Sequence, residues 1–355
     1  MANQVLYGFH SLKDVFARRV VEAGVDVVSR AIDQSVAEHN RQIAAIFSLF
    51  VRPTTEYSMR YKTPTSARLQ PMDENGRARP IKLAGYYDVA FPLQEGGAAW
   101  GANYRSRAKM TVQEANEATL TMLSADARWI RDHVLASLFT NASWSWTDPA
   151  HGALTIKGLA NADTDLYLVM TGADAGATDT HYLAQAGAIA DATNPFATMH
   201  DELTEHPENA GQVVVFVPTS NKAAVESLSN FTPLPDMNVR LGANQSELIG
   251  NLGTPIPGKL FGYVDECWVA EWPVLPANYL IGVTTDGEKP LGMREEPEAE
   301  LQGFKRVADR EDHPWYESQW LRIAGFGAWS RVGAVVQRVG NGAYAIPTNY
   351  EVPMP

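Results

Sequence analysis

The sequence predicts a mixed α+β chain with its helices early and its strands late. Three observations carry that expectation. Residues 57–110 alternate apolar and polar positions as a long ribbon does. An unbroken helix follows from Thr111 to about Thr140. Apolar strands then recur from Val213 to Val339.

The elements follow in order. Residues 24–50 read as an amphipathic helix, because Val25, Val28, Ile32, Val36, His39, Ile43, Ile46, Phe47 and Phe50 recur every three or four positions and Pro53 stops it. His39 falls on the apolar stripe, where a buried, hydrogen-bonded histidine is the ordinary explanation. The ribbon begins with Tyr57, Met59 and Tyr61 on one parity and Ser58, Arg60 and Lys62 on the other. It resumes with Ile81, Leu83, Tyr87, Val89 and Phe91 against Lys82 and Asp88. Asp73-Glu74-Asn75-Gly76 lies between, and Asn-Gly is the strongest short hairpin signal because both residues tolerate positive φ. A ribbon this long and polar is marginal in water by itself, so a neighbouring subunit is the expected support.

Gly96-Gly97-Ala98-Ala99-Trp100-Gly101 reads as a hinge. Thr111, with Glu114 three residues on, opens the long helix with a capping box. Roughly 29 residues give about 44 Å, with Leu123, Ala127, Ile130, Val134 and Leu138 as its core stripe. Short strands and turns are expected over 141–180, with Asp165–Met170 as one strand, then a helix from about His181 to Ala192. Asn194-Pro195 opens another, ending before Pro207. Gln212–Val217 is apolar throughout, as a strand buried on both faces is, and Pro218-Thr219-Ser220 caps a helix to Leu228. Residues 229–260 are loop-rich. Strands follow at Gly262–Glu271, Tyr279–Val283, Leu291–Glu295, Leu301–Ala308, Trp320–Ala328 and Val332–Val339.

The chain has 355 residues, 45% of them hydrophobic, enough for two compact subdomains or one with extensions. A net charge of -12 argues against a nucleic-acid binder held by phosphate neutralisation. The charge is unevenly placed. Residues 52–110 hold ten Lys/Arg and five acids, which leaves 19 basic and 36 acidic residues elsewhere. The arm is therefore near +5 and the remainder near -17. That contrast suits packing between like subunits, one copy's arm on the next copy's body. The single cysteine, Cys267, has no disulfide partner in the chain; it favours a reducing compartment and reads as a buried core thiol in a strand over Val264–Val269. Without a hydrophobic secretion segment, cytosolic synthesis is expected, and no apolar run reaches membrane-spanning length.

Chemical motifs fail on inspection. Gly253–Leu260 fits the spacing of a phosphate loop, but Leu260 stands where the metal-holding hydroxyl belongs and Pro255 and Pro257 remove two N–H groups. His200 and His206 are six apart, so they face different sides of a helix, and a solvated helix end is expected. Gly325-Phe326-Gly327 reads as a strand kink or a close approach. Glu295, Glu296, Glu298 and Glu300 read as a surface acidic run. No catalytic residue, metal ligand or cofactor site is assigned.

The order of elements resembles the major capsid protein of tailed bacteriophages, of the Hong Kong 97 type. The resemblance lies in architecture over nearly the whole chain. It is carried most clearly by Tyr104–Phe139, Val213–Leu228, Gly262–Asp265 through Tyr279–Gly282, and Trp320–Gly327. It implies an N-terminal arm and helix over 1–56 and an extended E-loop over 57–110. A P domain follows over 111–205 with its spine helix at 111–140, then an A domain over 206–290, and return strands of the P domain over 291–355. The short segment before the arm implies a separate scaffolding protein or none. Lys82 and Lys109 are lysines of the kind some members crosslink, with no motif to fix either.

The expected function is non-catalytic: self-assembly, as hexamers and pentamers, into an icosahedral head around double-stranded DNA. Portal, scaffolding and decoration proteins are the further partners, with no sequence-specific DNA binding and no membrane. Assembly is expected in the host cytoplasm and residence in the virion. Arg68, Arg77, Arg79 and Lys82 are the expected contacts between subunits. The alternatives are an encapsulin-type shell, which shares the fold but encloses enzymes, and a cytosolic α/β hydrolase.

Overall fold

Elements follow one another as α1 (Val20–Ala23), α2 (Val25–Phe47), β1 (Val51–Thr54), β2 (Ser58–Tyr61), β3 (Tyr87–Ala90), β4 (Gln94–Asn103), α3 (Tyr104–Lys109) and α4 (Val112–Phe139). Next come β5 (Trp144–Asp148), β6 (Gly152–Ile156), β7 (Tyr182–Gln185), α5 (Phe196–Thr204), β8 (Val213–Val217), α6 (Thr219–Glu226) and β9 (Thr232–Pro233). The chain closes with β10 (Lys259–Val264), β11 (Cys267–Glu271), β12 (Tyr279–Thr284), β13 (Leu291–Arg294), β14 (Lys305–Asp312), β15 (Trp315–Ala328) and β16 (Ala334–Val339). This is a computed structural model, and it describes residues 17–61, 69, 71–78, 86–170, 178–234, 257–312 and 315–354. The chain divides into two compact units, one of 1–45, 93–132 and 295–324, the other of 46–92, 133–294 and 325–355.

In the first unit, β15 up to Ala324 is flanked by β14 and by β4, both antiparallel. Phe304 and Trp320 pack with Val36 of α2, and Ile32, Met122 and Leu123 close over them. The expected stripe of α2 is followed in part. Val28, Val36 and Ile43 are buried, while Val25 is half exposed. The capping box at the start of α4 forms in both directions. Thr111 N–H donates to Glu114 Oε2 at 2.8 Å, and Glu114 N–H to Thr111 Oγ1 at 3.2 Å.

The glycine-rich stretch expected as a hinge is instead strand β4, paired with β15 from Gln94↔Ala324 to Asn103↔Trp315. Its glycines serve packing. A Cβ on Gly96 would lie 2.9 Å from the indole of Trp129, so only glycine lets the strand approach.

The second unit holds a seven-stranded sheet in the order β7-β16-β12-β8-β11-β10-β9. Strand β8, buried at every position, is central, which is what its unbroken apolar run dictates. Helix α5 supplies Phe196, Met199 and Leu203 to the core beside β8, and α6 supplies Val225. Asn194 caps α5 as its sequence promised, accepting the Phe196 N–H at 3.0 Å. A second ladder in this unit joins β1 parallel to β13 and β13 antiparallel to the last four residues of β15. Gly327 permits the close approach expected of the Gly-Phe-Gly stretch, since a Cβ there would meet the Ala90 carbonyl at 2.5 Å.

Three expectations fail here. Residues 181–190 are not helical, and only a 3-10 turn, Asp191–Thr193, follows them. Tyr182–Gln185 pair in parallel with Val336–Val339 as β7, a contact 154 residues away that local propensity does not register. Residues 165–170 form no strand, because side chains anchor that segment, with Asp165 held by Lys157 and Arg331 at 2.5 Å each. The single strand expected over 262–271 is a hairpin. Asp265 (φ 43°) and Glu266 (φ 63°) turn between β10 and β11, and Asp265 is secured by the side-chain amides of Asn194 and Asn230. Cys267, just past the turn, is fully buried, and burial pushes its thiol up to about 12.

Candidate functional site: the hairpin arm, its buried anchors and a histidine centre

The root of the arm lies wholly in the second unit. Strands β2 and β3 pair antiparallel, from Ser58↔Ala90 to Tyr61↔Tyr87. The apolar parity faces inward: Tyr87, Val89 and Phe91 are buried with Ala160, Tyr167, Trp329 and Val332, and Met59 and Tyr61 pack on them. Tyr61 stacks on Tyr87 with ring centres 5.0 Å apart. On the outer parity, Arg60 and Asp88 form an exposed pair at 2.7 Å. The two-residue period of the sequence is therefore the period of this ladder.

A buried guanidinium fixes the segment beneath the root. Arg331, 2% exposed, reaches Asp163 at 2.6 Å and Asp165 at 2.5 Å, and donates to the carbonyls of Gly158 (2.9 Å) and Leu159 (3.0 Å). Its cationic carbon lies about 6 Å from the rings of Tyr87 and Tyr167. Its backbone N–H donates to the Tyr87 hydroxyl at 3.2 Å. Burial works against the Asp163 carboxylate, but the Arg331 hydrogen bond and charge hold it below the usual range. Arg294 does similar work nearby, donating to Asp148 Oδ2 at 2.6 Å and to the Phe91 carbonyl at 3.1 Å.

The first unit has its own buried charge centre. Arg322 binds both Asp126 oxygens, at 2.5 and 2.6 Å, and His39 Nε2 meets Asp126 Oδ2 at 2.8 Å. The hydrogen-bonded histidine expected on α2 is thus present. Its partner, an aspartate buried mid-helix in α4, was not anticipated. Glu295 also departs from the surface run expected of it: it is partly buried, 3.9 Å from Arg322, and accepts the Gly303 N–H.

At the other end of the arm the expected turn forms. Asp73 Oδ1 accepts the N–H groups of Asn75 (2.9 Å) and Arg77 (2.8 Å), Gly76 N–H donates to the Asp73 carbonyl, and Gly76 has φ +73°. Every residue from 71 to 78 is exposed, and so are two large apolar side chains, Leu69 at 99% and Met72 at 67%. Arg77 is thus placed at an exposed turn. Arg68, Arg79 and Lys82 lie outside the described residues, as do Ile81 and Leu83.

Sequence reading missed one centre entirely. His206 does not end a solvated helix; it is 1% exposed and meets His181, 0% exposed, with Nε2 atoms 3.2 Å apart. Both Nε2 atoms converge on Asp179 Oδ2, at 2.9 Å from His181 and 2.7 Å from His206. The Nδ1 of His181 lies 2.8 Å from the Ala334 carbonyl, and that of His206 lies 3.0 Å from the Leu168 carbonyl. His200 stands apart, against Asp201 and Glu266. Glu202 and Glu205 border Asp179. Burial, and then the Asp179 charge, pushes the Glu202 carboxyl up to about 8, while hydrogen bonds from the two histidines overcome burial to hold Asp179 low. The available signal was the Asp179-Thr180-His181 spacing, which puts both groups on one side of an extended chain. The partner 25 residues on carried none.

No protein-family model and no curated protein sequence matches the chain. Among solved structures, a chain described as "Mycobacterium phage Patience" superposes at TM-score 0.66 with 19% identity, covering 98% of this chain and 97% of its own. The capsid of a native GTA particle is similar at TM-score 0.48 and 16% identity, covering 84% of this chain and 91% of its own. The mature capsid of bacteriophage PhiM1 is similar at TM-score 0.48 and 8% identity, covering 84% and 87%. Only the first is close enough to define the fold, and it does so from end to end. The chain shares the α+β fold of that phage chain, as its element order led one to expect.

Proposed function

We propose that this chain is the major capsid protein of a tailed phage, a structural subunit that tiles an icosahedral head around double-stranded DNA and catalyses nothing. One observation carries the reading. The tip of the arm is built as an ordered turn, yet residues 71–78 are exposed throughout, with Leu69 and Met72 bare beside Arg77. An exposed ribbon end carrying large apolar groups is stabilised by covering it, and a second copy supplies an acidic body for the basic arm. The end-to-end likeness to a phage chain supports the same reading.

In this assignment residues 57–110 are the E-loop, 111–140 the spine helix, 111–205 the P domain, 206–290 the A domain and 291–355 the returning strands. Copies of the chain in hexamers and pentamers are the principal partners, with a portal and separate scaffolding or decoration proteins joining them. The net negative charge suits a lining that encloses DNA without gripping it. Assembly in the host cytoplasm then delivers the protein to the virion.

Size-exclusion chromatography followed by negative-stain imaging of the expressed chain tests the proposal. Capsomers or megadalton particles are expected; a discrete monomer under all assembly conditions would overturn it. Reversing Arg77 and Arg79 to Glu is expected to abolish particles while the subunit stays folded. Normal particles from that variant would remove the arm from the interface.

A further inference from the structure

We infer that Asp179, His181 and His206 form a binding site for a divalent transition-metal ion of the zinc class, which staples the second unit internally. The inference goes beyond the capsid reading and does not depend on it.

Proton counting at the site leads there. Each histidine has its Nδ1 against a backbone carbonyl, Ala334 for His181 and Leu168 for His206. A carbonyl only accepts, so each Nδ1 carries the proton and donates. A ring protonated only there presents its lone pair at Nε2; a doubly protonated ring donates Nε2–H to Asp179, and a bound metal ion would displace that proton. The two Nε2 atoms are 3.2 Å apart, and both lie within 2.9 Å of one anionic oxygen, Asp179 Oδ2. Three electron-rich atoms therefore converge where the histidines are almost wholly shielded from water. Such a set needs protons or a metal cation among it.

The geometry suits a metal. Bonds of about 2.0–2.1 Å to imidazole nitrogen and carboxylate oxygen in a tetrahedral site place neighbouring ligand atoms about 3.3–3.4 Å apart. The three separations here, 2.7, 2.9 and 3.2 Å, need an opening of between about 0.1 and 0.7 Å. The donor set matches as well, since imidazole suits zinc and its first-row neighbours whereas calcium and magnesium take oxygen. The surroundings have the form that metal-binding histidines show: the second ring nitrogen of each is pinned by a carbonyl, which fixes the tautomer and the ring orientation. Glu202 and Glu205, grouped about Asp179, offer a fourth ligand. Asp179, at 11% exposure, and Glu205, at 25%, leave an approach from solvent.

The ion would join four stretches of chain: the start of β7 through His181, the turn after α5 through His206, the Leu168 segment through its carbonyl, and β16 through Ala334. None of these joins is local in sequence, so a staple there acts on the tertiary fold.

The test uses the full-length chain, stripped with chelator and then titrated with Zn²⁺, and separately with Co²⁺ and Mg²⁺. Expected are one Zn²⁺ per chain by elemental analysis, a rise in the thermal midpoint with Zn²⁺ but not Mg²⁺, and a Co²⁺ spectrum of low symmetry. His206→Gln should lower Zn²⁺ affinity by about 100-fold or more, at least what loss of a supporting partner costs. Asp179→Asn provides a second variant should the first fold poorly, and it should also remove the Co²⁺ spectrum. The inference is overturned if the wild-type chain neither retains nor responds to Zn²⁺. A midpoint that follows only pH, through a histidine-like transition, would show that protons fill the site and would overturn it equally. Binding that survives both variants would place the ion elsewhere.

Discussion

Arg331→Met tests the claim that buried charge, and not only apolar packing, holds the root of the arm. The guanidinium is 2% exposed, whereas its acids are 34% (Asp163) and 15% (Asp165) exposed, and Asp165 keeps Lys157 at 2.5 Å. Methionine fills much of the volume but orphans the carbonyls of Gly158 and Leu159 and leaves two partly buried carboxylates. Breaking a buried pair from one side costs about 3–5 kcal/mol. Asp163→Asn with Asp165→Asn breaks the same centre from the other side, at a similar cost, by stranding the cation. The triple variant leaves no deeply buried charge unpaired, only the 22%-exposed Lys157 parted from Asp165, so its cost should fall short of the sum by at least about 2 kcal/mol. Two units in one chain make a single global transition a poor gauge. Hydrogen exchange at the Ala160 and His181 amides is the better assay, because the first donates to the Arg331 carbonyl at 2.8 Å and the second to the Ala160 carbonyl at 2.9 Å. Each partial variant should speed exchange there by roughly 100-fold or more, at about 1.4 kcal/mol per tenfold. Strict additivity of the two halves, or unchanged exchange in Arg331→Met, would refute the reasoning.

The arm tip should separate assembly from folding. Gly76→Val forces a β-branched residue to φ +73° at a cost of about 1–2 kcal/mol, and because nothing among the described residues lies within 4 Å of a Cβ there it should impair particle formation while leaving the subunit's melting curve in place. Gly96→Leu should destabilise the first unit by about 1–3 kcal/mol through its clash with Trp129, measurable as a lower urea midpoint. Acid stability follows from Asp126, Asp148 and Asp163, whose carboxyls are all held below their ordinary values against the cost of burial, by hydrogen bonds from His39 and Arg322, from Arg294 and from Arg331 respectively. A depressed carboxyl contributes fully above the unfolded value near 3.9, and that contribution is lost as pH falls through the folded values. A pH titration of the denaturation midpoint should therefore be flat from these groups above about pH 5 and fall below about pH 4. Cys267 should resist alkylation at pH 8 in the native chain and react once unfolded, since its thiol is buried and raised to about 12.

What was legible in the sequence is what local chemistry decides. The α4 capping box, the Asn194 cap, the Asn-Gly turn and the buried run of β8 each depend on residues within a few positions of one another, and each forms. The failures share a cause of the opposite kind. Strand β7 exists because β16 pairs with it, Gly96 and Gly97 are strand residues because β15 runs beside them, and segment 165–170 is held by Arg331 rather than by a ladder. Composition alone could not separate a glycine that bends the chain from one that admits Trp129. The buried polar centres were illegible for a stronger reason. Asp126 and Arg322 are 196 residues apart, and His206 is 25 from His181, so nothing local marks them as pairs. Their physics does place them, however. An unpaired charge in either core would cost several kcal/mol, so each buried aspartate implies a donor elsewhere in the chain. Asp126 has found Arg322 and His39, and Asp148 has found Arg294. Among the described residues Asp179 meets no arginine or lysine, only the imidazoles of His181 and His206. The cation that balances Asp179 is therefore an imidazolium or a bound metal ion, and the zinc titration separates the two.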